Sequence, residues 1–86
     1  MKRNIKISGI SDATTLVTKA SAVEGDVTIT RGRYSIDAKS IMGVFSVDLS
    51  AGVTIEYPDG EIELDEYCKK FEIQLIFSKF FDIIFI

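Results

Sequence analysis

The sequence of 86 residues contains no histidine and no tryptophan, and it has one cysteine, Cys68. Without histidine the chain lacks the side chain that most often exchanges a proton near neutral pH, and also the commonest zinc ligand. One cysteine without a histidine gives no thiol–base pair for nucleophilic catalysis. The metal-binding, phosphate-loop and nucleophile motifs are missing as well. These absences predict a protein that is not an enzyme and uses no cofactor or metal.

Signals for export or membrane insertion are also missing. A lone Cys68 cannot form an internal disulfide, which is typical of a reducing compartment. The opening residues, MKRNIKISG, are basic but are not followed by the apolar core of a secretory signal. No apolar run reaches the roughly 20 residues of a membrane span. We therefore expect a cytoplasmic protein with no stable membrane span.

The charge is modest and unevenly distributed. Ten Lys and Arg oppose thirteen Asp and Glu, which gives a net charge of −3. Basic residues prevail only in the first 36 positions, and acidic residues prevail after them. A nucleic-acid-binding protein needs a concentrated basic face. The balance therefore predicts protein partners and no nucleic acid.

The hydrophobic pattern predicts one small α+β domain. Apolar residues alternate in 4–8, 26–30, 33–38 and 52–57, which is typical of half-buried strands. They follow helical spacing in 13–23 and 64–71, and a short helix is expected over 40–47. The order β-α-β-β-α-β-α predicts a four-stranded antiparallel sheet with helices on one face.

The stretch DAKSIMGVFS, residues 37–46, combines a helix start with an unusually apolar short helix. Ser40 is a favourable N-cap residue. A helix of two turns cannot bury all of its sides, so we expect Val44 to face the core and Met42 to face outward at least in part. Cys68 is expected to be a buried apolar residue of the last helix.

The segment Lys39–Ser46, KSIMGVFS, resembles the HPr phosphocarrier family of the bacterial sugar phosphotransferase system. Supporting elements are Gly9-Ile10 before the first helix and the pattern Leu16-Val17 and Ala20-Ser21 along it. The resemblance covers residues 2–72. It implies an open-faced sandwich fold.

The same resemblance implies that one family site has been lost. The family carries its phosphoacceptor histidine directly after the Gly-Ile, with an arginine two residues further on. Here Ser11 and Asp12 follow, and the loop is two residues shorter. Ser11 and Asp12 therefore mark a degenerate phosphoacceptor loop, in which an ordinary helix cap is expected. Asp12 is expected to repel a phosphoryl group.

A second family site is retained. The resemblance implies that Ser40 is phosphorylated by an ATP-dependent HPr kinase, as in the paralogue that acts in carbon catabolite repression. Ile41, Met42 and Phe45 would then form the surface that docks onto a partner, such as a transcriptional regulator. The alternative interpretation is that Ser40 serves only as a helix cap.

Residues 73–86, IQLIFSKFFDIIFI, form an apolar extension beyond the domain of residues 1–72. Ten of these fourteen residues are apolar, and they include four of the six phenylalanines. The pattern fits a helix or an edge strand equally, and it is a liability for aggregation or oligomerisation. The alternative hypothesis for the whole chain is therefore a degenerate structural domain that self-associates through this extension. Residues 73–86 could also be a non-native extension.

Overall fold

The computed structural model describes residues 1–73, and within them it contains four strands and three α-helices. The strands are Lys2–Ile5 (β1), Thr28–Arg31 (β2), Tyr34–Asp37 (β3) and Val53–Glu56 (β4). The α-helices are Ile10–Ser21 (α1), Ile41–Phe45 (α2) and Ile62–Lys69 (α3), and a 3₁₀ helix spans Leu49–Ala51. The predicted order is confirmed, and the 3₁₀ helix is an addition that the pattern did not predict.

The four strands form one antiparallel sheet in the order β1-β4-β2-β3. Alternate residues of the central strands, such as Ile29 and Ile55, are fully buried, while Thr30 and Glu56 lie on the opposite, open face. Helices α1 and α3 supply the other half of the core through Leu16 and Leu64. The α+β sandwich predicted from the sequence is the observed fold.

The strand boundaries differ from the prediction by one to three residues, most of all in β1. The first strand is Lys2–Ile5 rather than 4–8, because β4 pairs with the chain only over those four residues. The hairpin loop is Gly32-Arg33, one residue later than expected, since Arg31 and Tyr34 already pair with each other. Gly32 has a φ of +59°, which fits a two-residue hairpin with glycine at its first loop position.

After α3 the chain returns to the edge of the sheet beside β1. The Lys6 N–H donates to the Phe71 carbonyl (2.9 Å), and the Ile73 N–H donates to the Asn4 carbonyl (2.8 Å). Domain contacts therefore continue as far as Ile73. Of the predicted apolar extension, residues 73–86, only Ile73 is described, and residues 74–86 lie outside the described part of the chain. Within residues 1–73 no helix is long and apolar enough to cross a bilayer.

Candidate functional site

Ser40 is the N-cap of α2, as predicted. Its backbone is extended (φ −95°, ψ 112°), and its Oγ accepts a hydrogen bond from the Gly43 N–H at 3.2 Å. The Ser40 carbonyl accepts from the Val44 N–H at 2.9 Å, which starts the helix. Ser40 is exposed to solvent. The hydroxyl therefore stabilises the helix start and remains accessible from outside.

Gly43 lies directly against the Ser40 side chain. A Cβ atom at position 43 would lie 3.4 Å from Ser40 Oγ and 3.5 Å from Ser40 Cβ, which is ordinary van der Waals contact. At the other end of α2, the Ser46 hydroxyl donates to the Gly43 carbonyl at 2.6 Å. The two ends of this five-residue helix are thus both closed by serine side chains.

The charged residues next to Ser40 have partners of their own. The Lys39 ammonium donates to the Val23 carbonyl at 2.6 Å, just beyond the end of α1. The Lys39 N–H donates to Asp37 Oδ1 at 2.9 Å. Helix α2 itself contains no charged residue. The Lys39 ammonium is therefore held on the α1 side of the serine.

The apolar residues of α2 divide as expected between the core and the surface. Val44 is completely buried, whereas Met42 is 81% exposed. Ile41 and Phe45 are 44% and 47% exposed. The predicted docking residues Ile41, Met42 and Phe45 thus form an apolar surface that begins directly beside Ser40.

The residues assigned to the degenerate loop lie in the first turn of α1. The N-cap of α1 is Gly9 and makes no side-chain hydrogen bond, so the expectation that Ser11 caps the helix is wrong. The helix starts earlier because the Ala13 N–H already bonds to the Gly9 carbonyl at 3.0 Å. Asp12 is a first-turn carboxylate, as predicted.

The Asp12 carboxylate lies back over the start of the helix. Its Oδ2 is 3.3 Å from the point where a Gly9 Cβ would be. An anion approaching this helix start would therefore meet a negative charge. Ser40 lies near the opposite end of α1, because the ammonium of its neighbour Lys39 donates to the Val23 carbonyl, just after the last turn of that helix. The structure does not bring Ser11 and Asp12 together with Ser40.

A cleft of about 150 Å³ separates the start of α1 from the end of α2. Ile10 and Ala13 line it on one side, and Val44, Phe45 and Asp48 line it on the other. Ile10 is 77% exposed, which makes it one of the most accessible apolar residues of the described chain. The sequence pattern did not assign Ile10 a place in the site. The only sequence feature that could have indicated it is its position directly before Ser11 and Asp12.

A second polar cluster, which the sequence analysis missed, joins β1 to α3. Arg3 contacts Asp65 (Nε–Oδ1 2.7 Å) and Glu72 (Nη1–Oε2 2.8 Å), and the Tyr57 hydroxyl also donates to Asp65. The hydrogen bond from Arg3, followed by that from Tyr57, lowers the pKa of Asp65 to about 2. The sequence feature that could have revealed this cluster is Arg3, a charged residue two positions before Ile5. It therefore lies on the same, core-facing side of the strand. The cluster has a structural role.

Within residues 1–73, Cys68 and Tyr57 also have shifted pKa values, and burial is the main cause of both. Cys68 is buried, as predicted, and burial raises the pKa of its thiol to about 11. Burial followed by the hydrogen bond to Asp65 raises the pKa of the Tyr57 hydroxyl above its ordinary range. Residues 1–73 contain no group of three or more side chains placed to hold a metal ion. A thiol with a raised pKa is a poor nucleophile at neutral pH.

Comparison of the fold with solved structures identifies its class. The chain is similar to the phosphocarrier protein HPr of Bacillus anthracis str. Ames, with a TM-score of 0.62, 22% identity and coverage of 84% of this chain and 96% of that one. It is also similar to HPr-C-His of Thermoanaerobacter tengcongensis, with a TM-score of 0.66, 23% identity and coverage of 81% and 88%. These structures show that the fold is that of HPr.

The family follows from the sequence comparison. The family model for the PTS HPr component phosphorylation site matches residues 11–63, which is more than half of the chain. The chain therefore belongs to the PTS HPr family. The phosphocarrier proteins of this family are carriers rather than enzymes, and the family interacts with proteins of the phosphotransferase system. No curated protein matches the sequence.

Proposed function

We propose that this protein is a regulatory protein-binding module of the HPr family, with no phosphohistidine chemistry, that is controlled by phosphorylation of Ser40. The observation that carries the proposal is the position of Ser40, exposed at the N-cap of α2 and directly next to the apolar residues Ile41 and Met42. A modification at Ser40 changes the charge at the border of that surface without having to open the fold.

A phosphate on Ser40 is compatible with the local geometry. A phosphoserine carries between one and two negative charges near neutral pH and adds acceptor oxygens. The Gly43 N–H that now donates to Oγ can donate to a phosphate oxygen instead, and α2 has no carboxylate that would repel it. The charge would then mark one border of the surface of Ile41, Met42 and Phe45, where a transcriptional regulator or another protein could dock.

Loss of the carrier function is supported by the composition and by the start of α1. The whole chain contains no histidine. In the first turn of α1, where the family resemblance places the acceptor, the chain has Ser11 and the Asp12 carboxylate. A carboxylate at that point opposes the approach of a phosphoryl group by charge repulsion.

The test is phosphorylation in vitro followed by intact-mass measurement. With ATP and an HPr kinase, the wild-type protein should gain one phosphate, the Ser40→Ala variant none, and the matched Ser46→Ala variant one. A wild-type protein that stays unlabelled contradicts control through Ser40. With phosphoenolpyruvate and the general phosphotransferase enzyme, the expected gain is zero. Labelling there contradicts the loss of the carrier function.

The alternative function, self-association through the apolar extension, depends on residues 74–86 and is tested separately. Because Ile73 bonds to Asn4 and its Cδ1 lies close to Gly52, a shortened chain should end at Ile73 rather than at Glu72. Analytical ultracentrifugation of the full and the shortened chain decides the point. If each chain sediments with the mass of its own monomer, this alternative is excluded.

A further inference from the structure

The outer edge of β3 has no neighbouring strand among residues 1–73. Strand β3 stands last in the order β1-β4-β2-β3, so it pairs with β2 on one side only. Its four residues include no proline and no glycine, and its register with β2 runs without a bulge from Thr28↔Asp37 to Arg31↔Tyr34. A regular, unpaired edge of this kind can accept a further strand.

The pairing with β2 shows which backbone groups this edge offers. Directly after the last pair of the register, the Ala38 N–H donates to the Val27 carbonyl at 2.8 Å. Hydrogen-bonded and non-hydrogen-bonded pairs alternate in an antiparallel ladder, so Ser35 and Asp37 turn their N–H and C=O groups away from β2. Within residues 1–73 the Asp37 carbonyl accepts from the Ser40 N–H, while both groups of Ser35 and the N–H of Asp37 face the outer edge.

The charges at the two ends of β3 are opposite. Arg33 directly precedes the strand and Asp37 ends it, and both are exposed. Within residues 1–73 neither side chain forms an ion pair, and Asp37 Oδ1 accepts a hydrogen bond only from the Lys39 N–H. A second β3 in antiparallel orientation, with Ser35 opposite Ser35, places each Arg33 opposite an Asp37. A parallel copy in register would place like charges opposite each other, which is unfavourable.

The apolar residues of β3 also find neighbours in the antiparallel arrangement. Tyr34 is 74% exposed, and Ile36 is only partly buried against the core. With Ser35 opposite Ser35, each Tyr34 lies directly opposite an Ile36 of the second copy. Aromatic and β-branched side chains that face each other across two strands stabilise the pairing. The arrangement therefore covers the exposed Tyr34 ring with an apolar side chain.

We propose that two copies of this chain associate through β3 about a two-fold axis at Ser35, which joins their two four-stranded sheets into one. The observation that carries the proposal is the order of charges along β3, which is complementary to a second copy in antiparallel orientation. The pairing uses about five residues per copy, far fewer than the 20–30 residues of a standard interface. The dimer is therefore weak, and it forms at high protein concentration. It requires neither phosphorylation of Ser40 nor residues 74–86.

The first experiment reverses the charges in the full 86-residue chain. Arg33→Asp and Asp37→Arg each place like charges opposite each other twice in the dimer. Sedimentation equilibrium between about 10 µM and 1 mM should show wild-type dimers, and each variant should associate about tenfold more weakly. In an equimolar mixture of the two variants, position 33 again meets an opposite charge at position 37, so association should return to the wild-type level. A monomeric wild-type protein, or a mixture that associates no better than its components, overturns the proposal.

The second experiment removes a backbone donor and leaves the charges unchanged. The Ser35 N–H points away from β2, so Ser35→Pro deletes a donor that the folded monomer does not use, and proline is tolerated on an edge strand. Ser35→Ala keeps the N–H and is the matched control. Both variants should keep the wild-type dispersion of their ¹⁵N amide spectra. Ser35→Pro should weaken association about tenfold or more, and Ser35→Ala should leave it unchanged.

Equal association of the Ser35→Pro and Ser35→Ala variants would overturn the proposal and would assign self-association to another part of the chain, such as residues 74–86. The sedimentation measurements need no phosphate on Ser40. Their outcome is therefore independent of the kinase assay.

Discussion

The Arg3 guanidinium and the Asp65 carboxylate join the first strand of the protein to its last helix, with Nε and Oδ1 2.7 Å apart. Both side chains are largely buried, at 15% and 19% exposure, and the Tyr57 hydroxyl completes the cluster. The cluster connects residues that lie 62 positions apart in the sequence. In a domain of this size the hydrophobic core is marginal, so such a link contributes a substantial part of the stability.

Replacing Asp65 by asparagine should destabilise the fold. The substitution removes the negative charge that accepts hydrogen bonds from both Arg3 and Tyr57. A hydrogen bond to a charged group contributes about 2 kcal/mol. We expect the free energy of unfolding, measured by urea denaturation, to fall by about that amount. The control is Glu66→Gln, which changes a carboxylate that is 66% exposed and should alter stability by less than about 0.5 kcal/mol. Equal effects of the two variants would contradict the assigned role of the cluster.

The same carboxylate should make the protein sensitive to acid. The pKa of Asp65 is lowered from the ordinary 3.8 to about 2 in the folded state, so the folded protein favours the ionised form. This contribution is fully present above the unfolded pKa and is lost as the pH falls through the folded pKa. Urea midpoints should be level near neutral pH and should decline between about pH 5 and pH 2.

The control for the acid sensitivity is again the Asp65→Asn variant, whose decline over this pH range should be shallower. Some slope should remain, because hydrogen bonds from Ser50 also lower the pKa of Asp48. A variant with the full wild-type slope would show that Asp65 does not produce the acid response.

Substitutions at Ser40 should reveal how much its side chain stabilises α2 as an N-cap. Ser40→Ala removes the acceptor of the Gly43 N–H and should cost about 1 kcal/mol of unfolding free energy. Ser40→Asp keeps an acceptor and should remain within about 0.5 kcal/mol of the wild-type protein. Thermal denaturation of the two variants, beside Ser8→Ala as an exposed control, measures the difference. If alanine and aspartate destabilise equally, the Ser40 side chain does not cap α2.

Truncation of two residues of α2, Val44 and Met42, should lower the stability by very different amounts. Val44 is completely buried, so Val44→Ala should leave a cavity and cost about 2 kcal/mol. Met42 is 81% exposed, so Met42→Ala should change the unfolding free energy by less than about 0.5 kcal/mol. Urea denaturation of both variants tests this division, and a large loss for Met42→Ala would contradict an outward-facing methionine.

The pattern of apolar residues was sufficient to predict the order of the elements and the two sides of α2. It succeeded for α2 because so short a helix can turn only one side to the core. Val44 lies on that side, and Met42 lies on the side exposed to solvent. It was wrong about the start of α1, where Ser11 and Asp12 are better capping residues than Gly9 by type. Helix α1 begins at Ile10 all the same, because the Ala13 N–H already bonds to the Gly9 carbonyl, and Ile10 itself stays 77% exposed.

Other features depend on partners that are distant in the sequence. The limits of β1 follow from its pairing with β4, about 50 residues later. The role of Arg3 depends on Asp65 and Glu72, neither of which is marked by local spacing. The 3₁₀ helix Leu49–Ala51 did have a local signal, since the Asp48 side chain caps it by accepting from the Ser50 N–H.

The return of residues 71–73 to β1 affects whether a further strand can pair with this edge of the sheet. With hydrogen bonds to Asn4 and Lys6, this short stretch seals one lateral border of the sheet against strand addition. At the opposite border, formed by β3, the Asp37 carbonyl already receives the Ser40 N–H at 3.0 Å. The chain thus turns away from β3 at Ser40, the residue that caps α2. Strand addition is therefore opposed at the β1 border, whereas at the β3 border this hydrogen bond occupies only the last residue of the strand.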